Sequence, residues 1–270
     1  MELWFDELHT PNIRQGFRIK SEIEHVHSEF QDIHLFETYD FGKLLVIDGT
    51  VQTTERDEYI YHEMIVHMPM CTHPNPEKVL VIGGGDGGAA REALKHDPKE
   101  VHVVEIDRAV VEICKMHMPS ISCSYKDERV HLHIEDGIKF VKREENFDVI
   151  IIDSTDPVGP AAGLFEDSFY KNLKKALREG GIIAQQSGTP FYHSEELCGA
   201  VKNLKKIFKN VAIFLAYIPT YPSGMWSFVM ASDEPIKMRR NPKLNTKYFN
   251  EEMYLSSMVL PEFIKEQCKD

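Results

Sequence analysis

A glycine-rich loop at residues 83–88 is the first feature of the sequence with the chemistry of a binding site. The loop, GGGDGG, follows the apolar run 79–82 and precedes a segment with helical spacing. Glycines at such a strand-to-helix turn let the backbone bend sharply and approach a ligand closely. A second apolar run, 101–104, ends on Glu105, at the distance after Gly83 where an acid conventionally accepts hydrogen bonds from ribose hydroxyls. The loop and this acid together predict a nucleoside ligand.

A carboxylate inside the loop restricts which nucleoside fits. At an effective dielectric near 20, Asp86 would repel a pyrophosphate or an amino-acid carboxylate by about 4 kcal/mol per close pair. That repulsion would weaken binding about a thousandfold. A ligand that carries an ammonium group and no carboxylate would be attracted instead. The alternative is that Asp86 only caps the following helix, a role that aspartate fills well.

Three more acids lie where the carboxyl edge of a sheet is expected. Asp136 follows the apolar segment 129–134, and it would accept a hydrogen bond from the exocyclic amine of an adenine. Asp153 ends the run 149–152, and Asp156 comes three residues later. Ligands of open α/β sheets bind at this edge. Two carboxylates so close in sequence, in apolar surroundings, predict a receptor for a positively charged amine.

The elements that must position these residues form a regular alternation after residue 77. Short apolar runs alternate with segments of helical spacing, a pattern typical of a doubly wound, mostly parallel sheet. The last two runs are joined only by residues 219–225, too few for a parallel crossover, so we expect them to pair antiparallel, as in methyltransferase-like α/β folds. The seven predicted strands lie at 78–82, 101–106, 129–134, 147–153, 181–186, 210–218 and 226–232, and the predicted helices near 87–96, 108–117, 137–143, 166–178 and 193–208.

The N-terminal part of the chain predicts a small domain of a different kind. Residues 30–38 alternate between apolar and polar, and Asp48-Gly49 is a strong turn signal. From Glu58 the apolar positions repeat with a helical period, and we expect Pro69 to end that helix. The predicted division is an antiparallel β domain at 1–57 and a methyltransferase-like α/β catalytic domain at 58–270.

The charge of the chain argues against several partners. The 270 residues include 31 Lys and Arg against 43 Asp and Glu, a net charge of −12. Nucleic-acid binding needs a concentration of basic residues, so this excess favours small cationic partners, although solubility alone also explains it. No stretch approaches eighteen consecutive apolar residues, and the N-terminus lacks the pattern of a secretory signal. We therefore expect a cytoplasmic protein without membrane contact.

Neither the histidines nor the cysteines predict a metal site or a disulfide. His62 and His67 are five residues apart, whereas a zinc-protease helix requires four. The cysteines are odd in number and include no C-x-x-C pair, so reduced thiols are expected. They are Cys71, Cys114, Cys123, Cys198 and Cys268.

The motifs taken together resemble those of the polyamine aminopropyltransferase family. Three long motifs carry the resemblance: GGGDGG at 83–88, DSTDPVGP at 153–160 and IPTYPSG at 218–224. Shorter matches extend it over nearly the whole chain, from about Trp4 to Phe263; they lie at 30–33, 54–58, 61–64 and 260–263. Several motifs in the correct order are far more specific than a glycine loop alone.

The resemblance implies a reaction and a set of roles. The aminopropyl group of decarboxylated S-adenosylmethionine would move to a diamine, with putrescine the first candidate, giving spermidine and 5′-methylthioadenosine in a homodimer or homotetramer. On the cofactor side it implies Gln31, Gln52, Gly83, Gly85, Asp86, Glu105, Asp136, Gly137, Asp153, Pro160 and Ala161. On the amine side it implies Tyr61, Asp153, Asp156 and Tyr221 around the attacking nitrogen, Asp86 and Asp153 at the aminopropyl ammonium, and Gln186, His62 and Trp4 along the diamine pocket.

The implied chemistry agrees with the acids found above. A sulfonium is already an activated leaving group, so the enzyme needs neither a metal nor a covalent nucleophile, only a neutral amine held in line. An alkylamine with a pKa of about 10.4 is neutral about once in ~2,500 molecules at pH 7, a handicap of roughly 4.6 kcal/mol. We expect Asp153 to accept the proton, with Tyr61 and Asp156 orienting the nitrogen. Carboxylates also raise the pKa of a nearby amine, so the site must offset that effect.

The tail departs from the family pattern, and other functions stay open. The family commonly has His and Phe in a tail motif where this chain has Tyr254, Ser257 and Met258. Agmatine, cadaverine or spermidine are alternative acceptors. A methyltransferase that uses intact S-adenosylmethionine is the alternative enzyme, and a non-catalytic polyamine-binding protein is the alternative from another class.

Overall fold

The computed structural model describes residues 2–154, 163 and 166–269, and its first part is a five-stranded antiparallel sheet. The strands lie in chain order, each antiparallel to the next. Asp48 and Gly49 both have positive φ, +50° and +79°, which is the conformation a two-residue hairpin turn demands. The strands are β1 (Leu3–Thr10), β2 (Ile13–His27), β3 (Asp32–Thr38), β4 (Lys43–Ile47) and β5 (Thr50–Thr54).

The first hairpin was not predicted, and its burial explains why. β1 and the first half of β2 are largely exposed, and of their apolar side chains only Phe17 is fully buried. A strand without a buried face shows no apolar alternation in its sequence.

The second part of the chain confirms the predicted seven-stranded sheet. Its order is β11-β12-β10-β9-β6-β7-β8. The strands from β10 to β8 run parallel, whereas β12 is antiparallel to both β10 and β11, as the short 219–225 connection required. The strands are β6 (Lys78–Gly83), β7 (Glu100–Glu105), β8 (Val130–Ile134), β9 (Phe147–Asp153), β10 (Leu177–Gln186), β11 (Asn210–Tyr217) and β12 (Met225–Ser232).

Helices cover both faces of this sheet. Alternate residues of one strand point to opposite faces, so Val79 and Val81 of β6 pack in one apolar cluster while Leu80 and Ile82 pack in the other. The first cluster includes side chains of α1 and α2, and the second includes side chains of α5 and α6. The helices are α1 (Glu58–Thr72), α2 (Gly88–Leu94), α3 (Arg108–His117), α4 (Gly137–Phe140), α5 (Asp167–Ala176), α6 (Ser194–Lys205), α7 (Glu251–Ser257) and α8 (Glu262–Gln267), with a 3₁₀ helix at Ser122–Lys126. Within the described residues no helix is both long and apolar enough to cross a membrane.

Several predicted helix ends were wrong: α4 ends at Phe140 instead of 143, and α6 ends at Lys205 instead of 208. α1 continues through Pro69 to Thr72, because every residue from 60 to 72 is buried and that packing outweighs the roughly 3 kcal/mol cost of an internal proline. α5 ends at Ala176, and β10 begins at Leu177, four residues before the strand expected from 181. The glycines at 180 and 181 obscured the start of this strand in the sequence.

The expectation of reduced thiols was wrong for two cysteines. Cys198 of α6 forms a disulfide with Cys268, just after α8, with 4.9 Å between the two Cα atoms. The partners are 70 residues apart in sequence, and only the return of α8 onto α6 brings them together. Cys71 and Cys114 are buried free thiols, and Cys123 is an exposed one.

The C-terminal segment is docked on α1 by backbone amides. The buried Glu63 carboxylate accepts hydrogen bonds from three consecutive N–H groups, those of Lys247, Tyr248 and Phe249, at 2.7–2.8 Å. Further along, the Tyr254 hydroxyl lies 2.6 Å from Thr72 Oγ1 at the end of α1. One helix therefore supports both the tail and, as described next, the candidate site.

Candidate active site

A cavity of about 320 Å³ opens where the strands β6, β7 and β9 end, beneath the N-terminal sheet. Its walls come from both sheets and from α1. It brings together most of the residues predicted from the sequence: Gln31, Gln52, Tyr61, His62, Gly83, Gly85, Asp86, Glu105, Asp136, Gly137, Asp153, Gln186 and Tyr221.

The glycine loop is held against the end of β9. Gly83 and Gly84 have φ of +81° and +63°, and the Gly84 N–H donates to the Asp153 carbonyl at 2.9 Å. A Cβ atom on Gly83 would lie 2.2 Å from that same carbonyl oxygen, and one on Gly85 would lie 2.8 Å from Glu105 Oε2. Glycine is therefore required both by the backbone conformation and by the close approach of the neighbouring strands.

Glu105 stands at the end of β7 with one oxygen already engaged. Its Oε1 accepts a hydrogen bond from the Asp107 N–H at 2.9 Å, and the side chain lines the cavity. Burial raises the pKa of Glu105 to about 7. Two hydroxyl donors of a ribose would stabilise the ionised form, since hydrogen bonds to a carboxylate lower its pKa.

Asp86 serves the helix and the cavity at once. Its Oδ1 accepts from the N–H of Gly88, the first residue of α2, at 2.8 Å, but the N-cap position is occupied by Gly87, so the capping alternative holds only in part. The other oxygen, Oδ2, lies 3.3 Å from Nε2 of His62. Although burial acts to raise the pKa of Asp86, the charge of His62 and the Gly88 amide hold it below its ordinary value.

His62 is placed between two carboxylates. Its Nδ1 lies 2.6 Å from Glu58 Oε2, one turn earlier in α1, and its Nε2 faces Asp86. Arg91 of α2 donates to both oxygens of Glu58, at 2.8 and 3.0 Å. Burial favours the neutral imidazole, but Asp86 and Glu58 together raise the pKa of His62 well above its ordinary value. Sequence reasoning missed Glu58 and Arg91, and the only available signal was the i,i+4 spacing of Glu58 and His62.

Asp153 and Tyr61 are in direct contact. The Tyr61 hydroxyl donates to Asp153 Oδ1 at 2.5 Å. Burial raises the pKa of Asp153 to about 6, and the negative charge of Asp86 acts in the same direction, while His62 and the Tyr61 hydrogen bond oppose the rise. Burial and the Asp153 charge raise the pKa of Tyr61, so it remains a hydrogen-bond donor. A carboxylate with this pKa is matched to proton transfer near neutral pH.

Tyr221 reaches the cavity on a loop that Asp57 holds. The Tyr221 hydroxyl donates to the Gln52 carbonyl at 2.5 Å, linking this loop to the N-terminal sheet. Asp57 is buried and accepts hydrogen bonds from the Thr220 N–H at 2.9 Å, from the Thr220 hydroxyl and from the Thr54 hydroxyl at 2.6 Å. Asp57 was not predicted as a functional residue, because its partner is far away in the sequence.

The remaining predicted residues differ in whether their polar atoms are already hydrogen-bonded within the protein. Gln186 donates to the Ser154 carbonyl at 2.9 Å and accepts from the Gly188 N–H at 2.9 Å, so both ends of its amide are engaged with the backbone. Asp136 caps α4 through Oδ1, which accepts from the Ile138 N–H at 2.8 Å. Trp4 lies on β1, 55% exposed, and is not among the cavity residues of this chain. Asp156, Pro160 and Ala161 lie outside the described residues.

One group in the described part of the chain has the donor types of a metal site. Glu22, His25 and His34 place ligand atoms within 4.8 Å of one another on β2 and β3. None of the three lines the cavity. The tail residues that depart from the family pattern also lie elsewhere: Tyr254 and Ser257 pack at the end of α1.

Known proteins match the chain over nearly its whole length. Residues 58–241 match the family described as "Spermine/spermidine synthase domain", and residues 3–55 match the "Spermidine synthase tetramerisation domain". The chain is 48% identical to the polyamine aminopropyltransferase of Caldicellulosiruptor bescii over 275 residues, covering 100% of this chain and 99% of that protein. It is also 48% identical to the polyamine aminopropyltransferase of Thermoplasma volcanium, over 98% of each chain.

Solved structures show the same fold. A crystal structure of spermidine synthase in complex with the transition state analogue AdoDATO superposes with a TM-score of 0.95 at 39% identity, covering 98% of this chain and 94% of the other. The spermidine synthase from Thermotoga maritima gives a TM-score of 0.94 at 39% identity over the same shares. The chain is therefore a member of the spermine/spermidine synthase family, the polyamine aminopropyltransferases.

Proposed function

We propose that this enzyme transfers the aminopropyl group of decarboxylated S-adenosylmethionine to putrescine, giving spermidine and 5′-methylthioadenosine. The single observation that carries the proposal is the convergence of Asp86, Asp153 and Tyr61 beside Glu105 in one cavity. The residue proposed to bind the nucleoside and the residues proposed to bind the amines thus line one cavity. Membership of the aminopropyltransferase family supports the same reaction.

The cofactor is proposed to lie across the ends of β6, β7 and β9. Glu105 would accept from the ribose hydroxyls, and the second oxygen of Asp136 would accept from the adenine amine. Gly83, Gly85 and Gly137 leave room for the nucleoside, with Pro160 and Ala161 as further adenine contacts. Asp86 and Asp153 would hold the aminopropyl ammonium, with Gln31 and Gln52 above them.

The acceptor amine is proposed to lie against Tyr61, Asp153 and Tyr221, with Asp156 as a further ligand. Because both ends of its amide are engaged with the backbone, Gln186 would act as a wall of the diamine pocket rather than as a donor. His62 borders the same space, and Trp4 would reach it only if the N-terminal hairpin or a second subunit brought it there.

Catalysis is then a direct displacement. The nitrogen attacks the carbon next to sulfur, the carbon–sulfur bond breaks, and the thioether leaves with the electron pair. Attack leaves the nitrogen as a secondary ammonium, and Asp153 would take its proton, directly or through water, to give the neutral secondary amine. This step needs no metal and no covalent intermediate. Positioning the two substrates in line supplies the main rate enhancement.

The assembly and its location are also proposals. A match to the tetramerisation domain supports an oligomer, and we propose a homotetramer built through the N-terminal sheet, with a homodimer as the alternative. The two domains are proposed to be 1–57 and 58–270. The cytoplasmic location stays a prediction from the sequence.

An acceptor screen tests the proposed function. The enzyme is incubated with decarboxylated cofactor and putrescine, cadaverine, agmatine or spermidine, and products are identified by mass. We expect methylthioadenosine and spermidine, with the highest kcat/KM for putrescine. Faster turnover of another amine would reassign the acceptor. Amine binding without methylthioadenosine release would contradict the proposed aminopropyl transfer.

A binding comparison distinguishes the proposed aminopropyltransferase from a methyltransferase. Calorimetric titrations with intact and decarboxylated S-adenosylmethionine should show clearly tighter binding of the decarboxylated form. Equal affinities would contradict the role proposed for Asp86 and favour a methyltransferase.

A further inference from the structure

The contacts of His62 favour its charged form on geometric grounds. Nδ1 lies 2.6 Å from Glu58 Oε2, Nε2 lies 3.3 Å from Asp86 Oδ2, and the side chain is 3% exposed. A neutral imidazole has one donor nitrogen and one lone pair, so it would point that lone pair at a carboxylate. An imidazolium instead presents an N–H to each of the two carboxylates.

The ring has little freedom to avoid these contacts. A Cβ atom on Gly88 would lie 2.3 Å from Cε1 of His62, so the imidazole packs directly on the first residue of α2. Arg91 holds the Glu58 carboxylate in place by donating a hydrogen bond to each of its two oxygens. Its Nε also donates to Glu92 at 2.9 Å, which ties the guanidinium to α2.

These four groups alternate in charge: Arg91, Glu58, His62 and Asp86. The negative charge of Asp86 is thereby partly offset before any substrate arrives. Among the described residues, Asp153, at the end of β9, is then the other carboxylate proposed to face the acceptor amine. A positive charge close to an amine disfavours its ammonium form.

We propose that Glu58 is a positioning residue that holds His62 as an imidazolium beside Asp86, and that this cation favours the neutral, reactive form of the acceptor amine. The second half of this inference rests on the proposed function. It resolves how a pocket lined with carboxylates can present an amine ready to attack.

The first test reads the charge of His62 without any reaction. In protein labelled with ¹⁵N-histidine, the two ring nitrogens of His62, assigned with a His62→Gln variant, should both keep imidazolium shifts well above pH 6.5, the ordinary pKa of histidine. In Glu58→Gln they should change to those of a neutral ring at least one pH unit lower. A neutral ring at pH 7 in the unaltered enzyme would overturn the proposal.

The second test is the pH profile of kcat at saturating substrates. In Glu58→Gln the rising limb should move to higher pH by about one unit, a loss of about tenfold at pH 7 that largely disappears near pH 10. An equal loss at every pH would indicate a merely structural role for Glu58. It would overturn the inference that the His62 cation favours the neutral acceptor amine. The groups facing His62 are Glu58 on its own helix, Asp86 on the glycine loop, Arg91 on α2 and Asp153 on β9.

A matched control and a second variant complete the design. Glu24→Gln removes the carboxylate partner of His117, 2.5 Å away and outside the cavity, and should leave the profile unchanged. If Glu58→Gln does not fold, Arg91→Lys repeats the comparison, because lysine keeps the charge but not the two-pronged contact. If no amine is turned over, the proposed function fails, while the nitrogen shifts still decide the charge of His62.

Discussion

The Asp153 carboxylate, which we propose as the proton acceptor, also affects the stability of the fold. Its pKa is about 6 when folded, against an ordinary value of 3.8. Because the folded pKa is the higher one, the ionised side chain lowers the free energy of unfolding, by a penalty that grows between about pH 4 and pH 6 and is constant above. Two pKa units correspond to a penalty on the order of 3 kcal/mol.

Asp153→Asn should therefore lower activity and raise stability. We expect kcat to fall more than tenfold at pH 8 because the proton acceptor is lost, and the melting temperature to rise at pH 8 but not at pH 4. Methylthioadenosine release and thermal melts measure the two effects, with Asp167→Asn, at a partly exposed position outside the cavity, as control. Turnover above about a tenth of the unaltered level would assign Asp153 to positioning instead.

Asp86 should set the choice between the two forms of the cofactor. In Asp86→Asn the carboxylate of intact S-adenosylmethionine is no longer repelled, so its affinity should rise relative to the decarboxylated form. The repulsion from one bare carboxylate predicts a factor of about a thousand. Because His62 offsets part of that charge, we expect about tenfold to a hundredfold. Calorimetric titration of both forms measures the ratio, and an unchanged ratio would contradict this role.

At the scale of elements, the junction of β6, the glycine loop and β9 should tolerate no side chain. Gly83→Ala combines a positive φ with a Cβ only 2.2 Å from a backbone oxygen, so we expect a loss of stability of about 3 kcal/mol or more. Gly199 in α6 is the matched control, since a Cβ there meets nothing within 4 Å. Gly199→Ala should stabilise by up to about 1 kcal/mol. Urea unfolding compares the two, and equal effects would contradict the steric argument.

Whether a residue of the candidate site could be predicted from the sequence depended on the element that carries it. Glu105 and Asp153 were found because each directly follows an apolar strand, and parallel strands end at one edge of a sheet. Arg91 and Asp57 were not found, because their partners meet them only after α1 packs on α2 and the 219–225 loop folds back. The length of α1 was misjudged for a related reason: a helix buried on all sides has no polar face to mark its extent.

At the scale of the whole molecule, the disulfide is the clearest contribution that the sequence alone did not show. Cys198–Cys268 closes a loop of 70 residues, which by chain entropy stabilises the fold by about 4 kcal/mol. Cys268→Ser should lower the melting temperature by roughly 10 °C while leaving kcat unchanged, because neither cysteine lines the cavity. Differential scanning calorimetry measures the shift, and Cys123→Ser, at an exposed free thiol, is the control. A shift no larger than that of the control would contradict this contribution.

The net charge of −12 takes a more specific meaning in the folded chain. Five acids of the described chain line one cavity, Asp48, Asp86, Glu105, Asp136 and Asp153, yet His62 and Arg91 enter the same region as cations. The sequence showed the acids and their order, whereas the compensating cations depended on helix packing. Part of the acidic excess thus lies in the proposed amine site, next to buried cations that offset part of its charge.

The Glu63 carboxylate has a kinetic consequence for the tail. Three neighbouring amides, those of Lys247, Tyr248 and Phe249, share this one acceptor, so they should lose protection in a single opening event. Hydrogen–deuterium exchange should give the three amides the same opening free energy, and Glu63→Gln should accelerate all three together. Unequal opening free energies would contradict the idea that Glu63 holds the three amides as one unit. Solvent exchange at residues 247–249 would then report, from outside the cavity, on the state of the helix that carries Tyr61 and His62.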